Sequence, residues 1–362
     1  MRFRTVTGAA VLRMHALLAV LFWWAGTAAQ ETPESPLSRL LEAELGRFPG
    51  IAGLHVKHLT TGEEASVRGE ERFESASTIK VAIMAHIYRM ADAGEIDLTE
   101  RIELQRSDLV GGSGIFRYKG VGLNPSIRDL ITEMIITSDN TATDMLLRRI
   151  GGMDPVNGFL EGQGLDALQM RHTVYGHFRG LYERMAPGLP PLSREDVFAL
   201  CCANTLLRTV PSLAERRDSL NRHIAQRAST GGEQATSDLL HPEENWFGVA
   251  TPRAMGQLLE RIETCTIASE ASCEEMRRIL RNTQASGTPI AGALAIHLSV
   301  PVGHKTGGTT GVTNDVGIVY ARSGPIVMAF YNKEIGGPTA AAQIRMAEAA
   351  RMVVEYFDGP SG

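Results

Sequence analysis

Ser77 and Lys80 stand three positions apart where an apolar-rich helical run, Val81 to Tyr88, begins. On a helix, residues i and i+3 share a face about one turn apart, so Lys80 can reach the Ser77 hydroxyl. A serine hydroxyl is a weak nucleophile until a base takes its proton, and a lysine can be that base only if its pKa is lowered. Ser77 would also sit in the first turn of its helix. Free backbone N–H groups and the positive end of the helix dipole favour an anionic intermediate there. Taken alone, the pair is equally an N-cap serine followed by a surface lysine.

Two further short motifs change that balance. Ser138-Asp139-Asn140 breaks an apolar helical pattern, with Ile135-Ile136 before it and Met145-Leu146 after it. Lys305-Thr306-Gly307-Gly308 follows a strand-like run near the C-terminus. Each has a bland reading, an N-cap for the first and a strand end for the second. Together and in this order they read as one constellation.

The elements around these motifs set the fold class. Leu37 to Phe48 has helical periodicity and stops at Pro49-Gly50, and Ile51 to Leu59 is strand-like, turning at Thr60-Thr61-Gly62 toward Ala65-Arg68. Helical patterns cover the Ser77 helix to Gly94, Asn124 to Ile150, Arg194 to Leu207 and, opened by Thr251-Pro252, Arg253 to Ile262. Val300 to His304, Asp315 to Ala321 and Ile326 to Asn332 alternate as antiparallel strands, and Thr339 to Phe357 is an alanine-rich helix. Strands at both ends with helices between predict an α/β (α+β) sandwich with an inserted all-helical region. The expected boundaries are 30–74 with 286–362 for the sandwich and 75–285 for the helical part.

Composition is that of a globular chain: 362 residues, 43% hydrophobic, 21% charged. A net charge of -5 gives no support for nucleic acid as a partner. No phosphate loop or zinc-type cluster is visible, and His55 and His58 point to opposite faces of a strand, so neither metal nor cofactor is expected. Arg2, Arg4 and Arg13, the apolar run Ala16–Ala25 and the small residues Thr27-Ala28-Ala29 predict a signal peptide over 1–29. No cysteine precedes Cys201 to carry a lipid. Export permits disulfides, and Cys265 and Cys273 could bridge at a helix corner, while adjacent Cys201 and Cys202 suit buried positions.

With these motifs the sequence resembles the class A β-lactamases and their penicillin-binding relatives. Phe73 ahead of the serine, Ala250-Thr251-Pro252-Arg253 and Asn314 to Val319 support the likeness, which spans Leu37 to Phe357 except for a long section between Arg171 and Thr251. The resemblance implies an acyl-enzyme on Ser77, with Lys80 as proton acceptor (its pKa lowered by burial and by Lys305) and Ser138 relaying the proton to the departing nitrogen. It implies that Asn140, Lys305 and Thr306 bind substrate, with Gly307 and Gly308 allowing close approach and the Ser77 and Gly308 amides forming an oxyanion hole. The expected protein is an exported monomer that hydrolyses β-lactams. A D-Ala-D-Ala peptidase or ester hydrolase with slow β-lactam turnover is the alternative, and a non-catalytic sensor is a third reading.

The likeness fails at one point. Class A enzymes place a water-activating glutamate two residues after an arginine, and here Thr173 follows Arg171. The connection to Thr251 is far longer than ordinary loops, so a partly helical cap over about 174–249 is expected. Glu183, Glu233, Glu243 and Glu244 are the candidate replacements, each also readable as a solvated surface carboxylate. The Gly111-Gly112-Ser113-Gly114 stretch reads as a flexible loop.

Overall fold

Two lengths of chain far apart in sequence build one antiparallel sheet. The computed structural model describes residues 35–185, 191–201, 215, 217–222, 225, 242–284, 290 and 300–359. Among them the strands are β1 (Ile51–His58), β2 (Glu64–Val67), β3 (Phe73–Glu74), β4 (Gln169–Met170), β5 (Gly248–Ala250), β6 (Val302–Thr309), β7 (Val312–Ala321) and β8 (Gly324–Lys333). The helices are α1 (Pro36–Leu45), α2 (Lys80–Asp92), α3 (Ile127–Ile136), α4 (Asn140–Arg149), α5 (Asp154–Gly162) and α6 (Val174–Met185). They continue with α7 (Arg194–Cys201), α8 (Pro252–Glu263), α9 (Glu270–Arg281) and α10 (Thr339–Asp358). The expected leader, Glu233 and Cys202 lie outside the described residues.

The main sheet runs β2-β1-β8-β7-β6, so the first hairpin joins the last three strands through the β1–β8 pair. Both faces of the sheet are covered. Along β8, Ile326, Met328 and Phe330 enter a core with α1 and α10, while Val327, Ala329 and Tyr331 enter the larger core with α2, α8 and α9. A strand with two buried faces needs apolar residues at every position, which explains the unbroken run Ile326 to Tyr331. The α/β architecture expected from the sequence is therefore present, with the helical elements inserted between β2 and β6.

Helix α2 lies at the centre of the larger core. Val81, Ala82, Ile83, Met84, Ala85, Ile87 and Tyr88 are all buried, so this helix is apolar around its circumference rather than along one stripe. A second sheet, β3-β5-β4, fastens the chain just before α2 to both ends of the long inserted section. Its strands of two or three residues are too short to show a period. Cys265 and Cys273 form a disulfide across the α8–α9 corner, with Cα atoms 5.6 Å apart. Among the described residues no helix is long and apolar enough to cross a membrane.

Candidate active site

Ser77 lies in a 3-10 turn, Ala76–Ile79, that runs directly into α2 at Lys80. Ala76 just before it has φ 44, a left-handed conformation that an alanine adopts at some energetic cost. Ser77 is half-buried and Lys80 is completely buried. The Lys80 Nζ donates to the Ser138 carbonyl and to Asn140 Oδ1, each at 2.8 Å, with Ser138 Oγ at 3.3 Å. Burial strips the ammonium of water and brings its pKa down to about 7, against the opposing pull of Asp139 and Asp144.

The Ser138-Asp139-Asn140 turn separates α3 from α4 and is held from three sides. Asp139 caps α4 by accepting from the Ala142 amide at 2.8 Å, and its other oxygen accepts from the Phe116 amide at 2.7 Å. Asn140 Nδ2 donates to the Gly111 carbonyl at 2.9 Å, and the Asn140 amide donates to the Ser113 carbonyl at 3.1 Å. Gly114 has φ +102, and a Cβ there would collide with the Asp139 carboxylate. The Gly111–Gly114 stretch is thus a pinned wall of the site, not the flexible loop its glycines suggest: two hydrogen bonds from Asn140 fix it to the turn.

Strand β6 forms the opposite wall. Lys305 is fully buried and donates to the Thr306 carbonyl at 2.8 Å. Its pKa is driven well below the usual lysine value by burial first and by the Lys80 charge second, with Asp315 opposing. Coulomb repulsion is mutual, so whichever of the two amines carries the proton discourages the other. Gly307 meets the Ser77 turn so closely that a Cβ would lie 2.8 Å from the Ser75 carbonyl and 3.0 Å from the Ser77 amide nitrogen. Ser77, Lys80, Ser138, Asn140 and the Lys305–Gly308 strand therefore come together, from four separate elements.

A family model described as Beta-lactamase enzyme family matches residues 36–357. The chain belongs to that family. It is 25% identical to Beta-lactamase CTX-M-97 of Escherichia coli over 353 residues, 97% of this chain and 98% of that protein. Identity to Beta-lactamase BRO-1 of Moraxella catarrhalis is 39% over 106 residues, covering 29% of this chain and only 34% of that protein. The ancestral class A β-lactamase GNCA superposes with a TM-score of 0.64 at 25% identity, over 89% of this chain and all of that one. The protein is a serine β-lactamase-like hydrolase of the class A and penicillin-binding superfamily.

Within this family member the section after Arg171 is rebuilt. Asp144 of α4, which no sequence motif singles out, accepts from the Val174 and Tyr175 amides at 2.8 and 2.9 Å and so caps α6. A charged residue recurring at i+4 from Asn140 was the available signal. The neck of the section is closed by Arg171, whose guanidinium pairs with Glu243 at 2.6 Å although the two lie 72 positions apart. Arg72 shares the same carboxylate oxygen. Glu183 is held by Arg179 and the Leu192 amide, and Glu244 is exposed beside His172. None of these three glutamates hydrogen-bonds to Ser77, Lys80, Ser138 or Asn140 among the described residues.

A buried carboxyl lies on the strand that leads to Ser77. Glu74 of β3 borders a cavity of about 100 Å³ lined also by Trp246, Val312 and Lys333. Burial raises its pKa to about 7, and its one hydrogen bond among the described residues, from the Phe247 amide at 3.4 Å, is long. The unfolded chain releases this proton near 4.5 and the folded chain only near 7, so this group's contribution to stability falls as pH rises across that window. Glu74→Gln should leave stability nearly unchanged at pH 4 and raise it by roughly 3 kcal/mol at pH 8. Urea unfolding of both proteins at the two pH values checks this; an equal difference at both would contradict it.

Proposed function

We propose that this protein is an exported hydrolase that opens the amide of β-lactams through an acyl-enzyme on Ser77. The observation that carries the reading is the buried Lys80 amine with a pKa brought near 7, set one turn from Ser77. In its neutral form that amine keeps two N–H groups for the Ser138 carbonyl and Asn140 Oδ1, leaving a lone pair to take a proton. The Ser77 oxygen attacks the lactam carbonyl as its proton passes to Lys80. Ser138, within 3.3 Å of Lys80, carries a proton on to the departing ring nitrogen.

Lys305 and Thr306 receive the substrate carboxylate. An incoming carboxylate favours the charged form of Lys305, and that charge in turn keeps Lys80 neutral, so substrate binding prepares the base. Asn140 has one amide hydrogen left after its bond to Gly111, available to the substrate's side-chain amide. The Ser77 and Gly308 amides face the developing oxyanion, with Gly307 letting the strand approach. The predicted segment 1–29 directs export.

Thr173 in place of the glutamate favours a second reading, a cell-wall D-Ala-D-Ala peptidase or ester hydrolase that β-lactams acylate and leave slowly. Intact-mass spectrometry of the protein with a chromogenic cephalosporin, alongside absorbance, separates the readings. Sustained colour with little adduct is the result expected of a lactamase. A single burst with a stable adduct on Ser77 means the second reading, and Ser77→Ala should show neither colour nor adduct. Binding with neither colour nor adduct in the wild type would leave only a sensor and would overturn both.

A further inference from the structure

The hydrolase needs a group that activates water against the acyl-enzyme; among the described candidates Glu183 and Glu243 are held by arginines and Glu244 is exposed. The position where the family carries its glutamate is Thr173, at the entrance to α6. His177 stands one helical turn later on the same face, its amide bonded to the Thr173 carbonyl at 2.9 Å. Its ring contacts Phe247 at 5.9 Å and Phe178 at 5.6 Å between centroids. Phe247 directly precedes β5, whose Gly248 carbonyl accepts the Ser75 amide at 2.9 Å. On the other side, the Phe178 ring would lie 3.3 Å from a Cβ at Gly112, where Asn140 Nδ2 would be 2.7 Å away. The imidazole therefore packs against two rings, one next to the strand that pairs with the Ser77 segment and one beside the Gly112 wall that Asn140 holds.

The ring's hydrogen bonding selects one nitrogen. His177 donates to the Asn245 backbone, while Nδ1 is buried with no hydrogen-bond partner among the described residues. Nε2 is thus the donor, and Nδ1 carries the lone pair. An acceptor without a protein partner can take its hydrogen bond from a water. Burial, helped by His172 and Arg184, lowers this histidine to about 4, so it is neutral at physiological pH and close to a carboxylate in basicity.

We propose that His177 is the general base that activates the water for deacylation, an assignment that rests on the Ser77 acyl-enzyme reading. Nδ1 takes one proton from the water as its oxygen bonds to the acyl carbon. Collapse of the tetrahedral intermediate breaks the bond from that carbon to Ser77 Oγ. The serine oxygen recovers the proton from the imidazolium, leaving free enzyme and a carboxylic acid product. Lys80 and Ser138 serve acylation, and His177 serves the second half of the cycle.

His177→Gln keeps a polar group able to hold a water but unable to take its proton. Stopped-flow and intact-mass measurements with a chromogenic cephalosporin should show acylation within threefold of wild type and deacylation slowed by about 10²–10⁴-fold. Hydroxylamine, a nucleophile that needs no base, should release the acyl group from variant and wild type at similar rates. A collapsed site would slow acylation and the hydroxylamine reaction together, which would overturn the assignment. So would deacylation by water within threefold of wild type in the variant, or a wild-type adduct that water does not release. Neither adduct nor colour in wild type would instead sink the acyl-enzyme reading itself and the assignment with it.

Discussion

Lys80→Met should slow acylation of Ser77 by about 10²–10⁴-fold while leaving the fold intact. Methionine fills the same buried channel without a charge, so the site loses its base and the core loses no volume. In the wild type the amine must be neutral to act, so the acylation rate should fall as pH drops through about 7. That acidic limb should vanish in the variant. Stability should move the other way. Between about 7 and 10.5 the unfolded lysine holds a proton that the buried one has lost, so wild-type stability gains from rising pH in this window. Lys80→Met removes that dependence and should be the more stable protein at pH 7. Stopped-flow acylation from pH 5 to 9, with urea unfolding at pH 7 and 10, tests both halves. Acylation within tenfold of wild type, or an unchanged acidic limb, would remove Lys80 from the role of base.

Gly307→Ala is expected to cost nearly as much from a single methyl group. Its Cβ would lie 2.8 Å from the Ser75 carbonyl and 3.0 Å from the Ser77 amide nitrogen, both of them backbone atoms. No flexible side chain can yield there, so β6 must retreat from the Ser77 turn. The amides of Ser77 and Gly308 then part, and losing one oxyanion donor typically costs about 10²–10³ in rate. Overpacking should also lower stability by about 1–3 kcal/mol. Gly158→Ala is the matched control. It lies in α5 with nothing within 4 Å of its Cβ position, so the same change should leave acylation intact and add a fraction of a kcal/mol, up to about 1. Equal acylation rates in the two variants would show that close approach at Gly307 is irrelevant to the chemistry.

Much of this was readable in the sequence because it is local. The break at Ser138-Asp139-Asn140 is visible in the helical period, and Asp139 does cap α4. The strands of the main sheet and helices α1, α8 and α10 stand where their periodicities lie, within a few residues at each end. The glycine-rich wall misled for a physical reason. Glycines permit many conformations, but Asn140, more than twenty positions away, supplies the bonds that select one.

Sequence alone determined the family motifs, the order of the elements and the absence of a glutamate after Arg171. Those follow from residue identity and from periods of two and 3.6 that a single segment carries by itself. Only the tertiary structure decided that Lys80 is dry, that Glu74 and Asp144 are buried, that Glu243 closes the neck with Arg171, and that His177 has an unpartnered nitrogen. A pKa and a hydrogen bond belong to a place, not to a residue. The burial that lowers Lys80 and the neighbours that fix His177 come from segments brought together only by the folded chain.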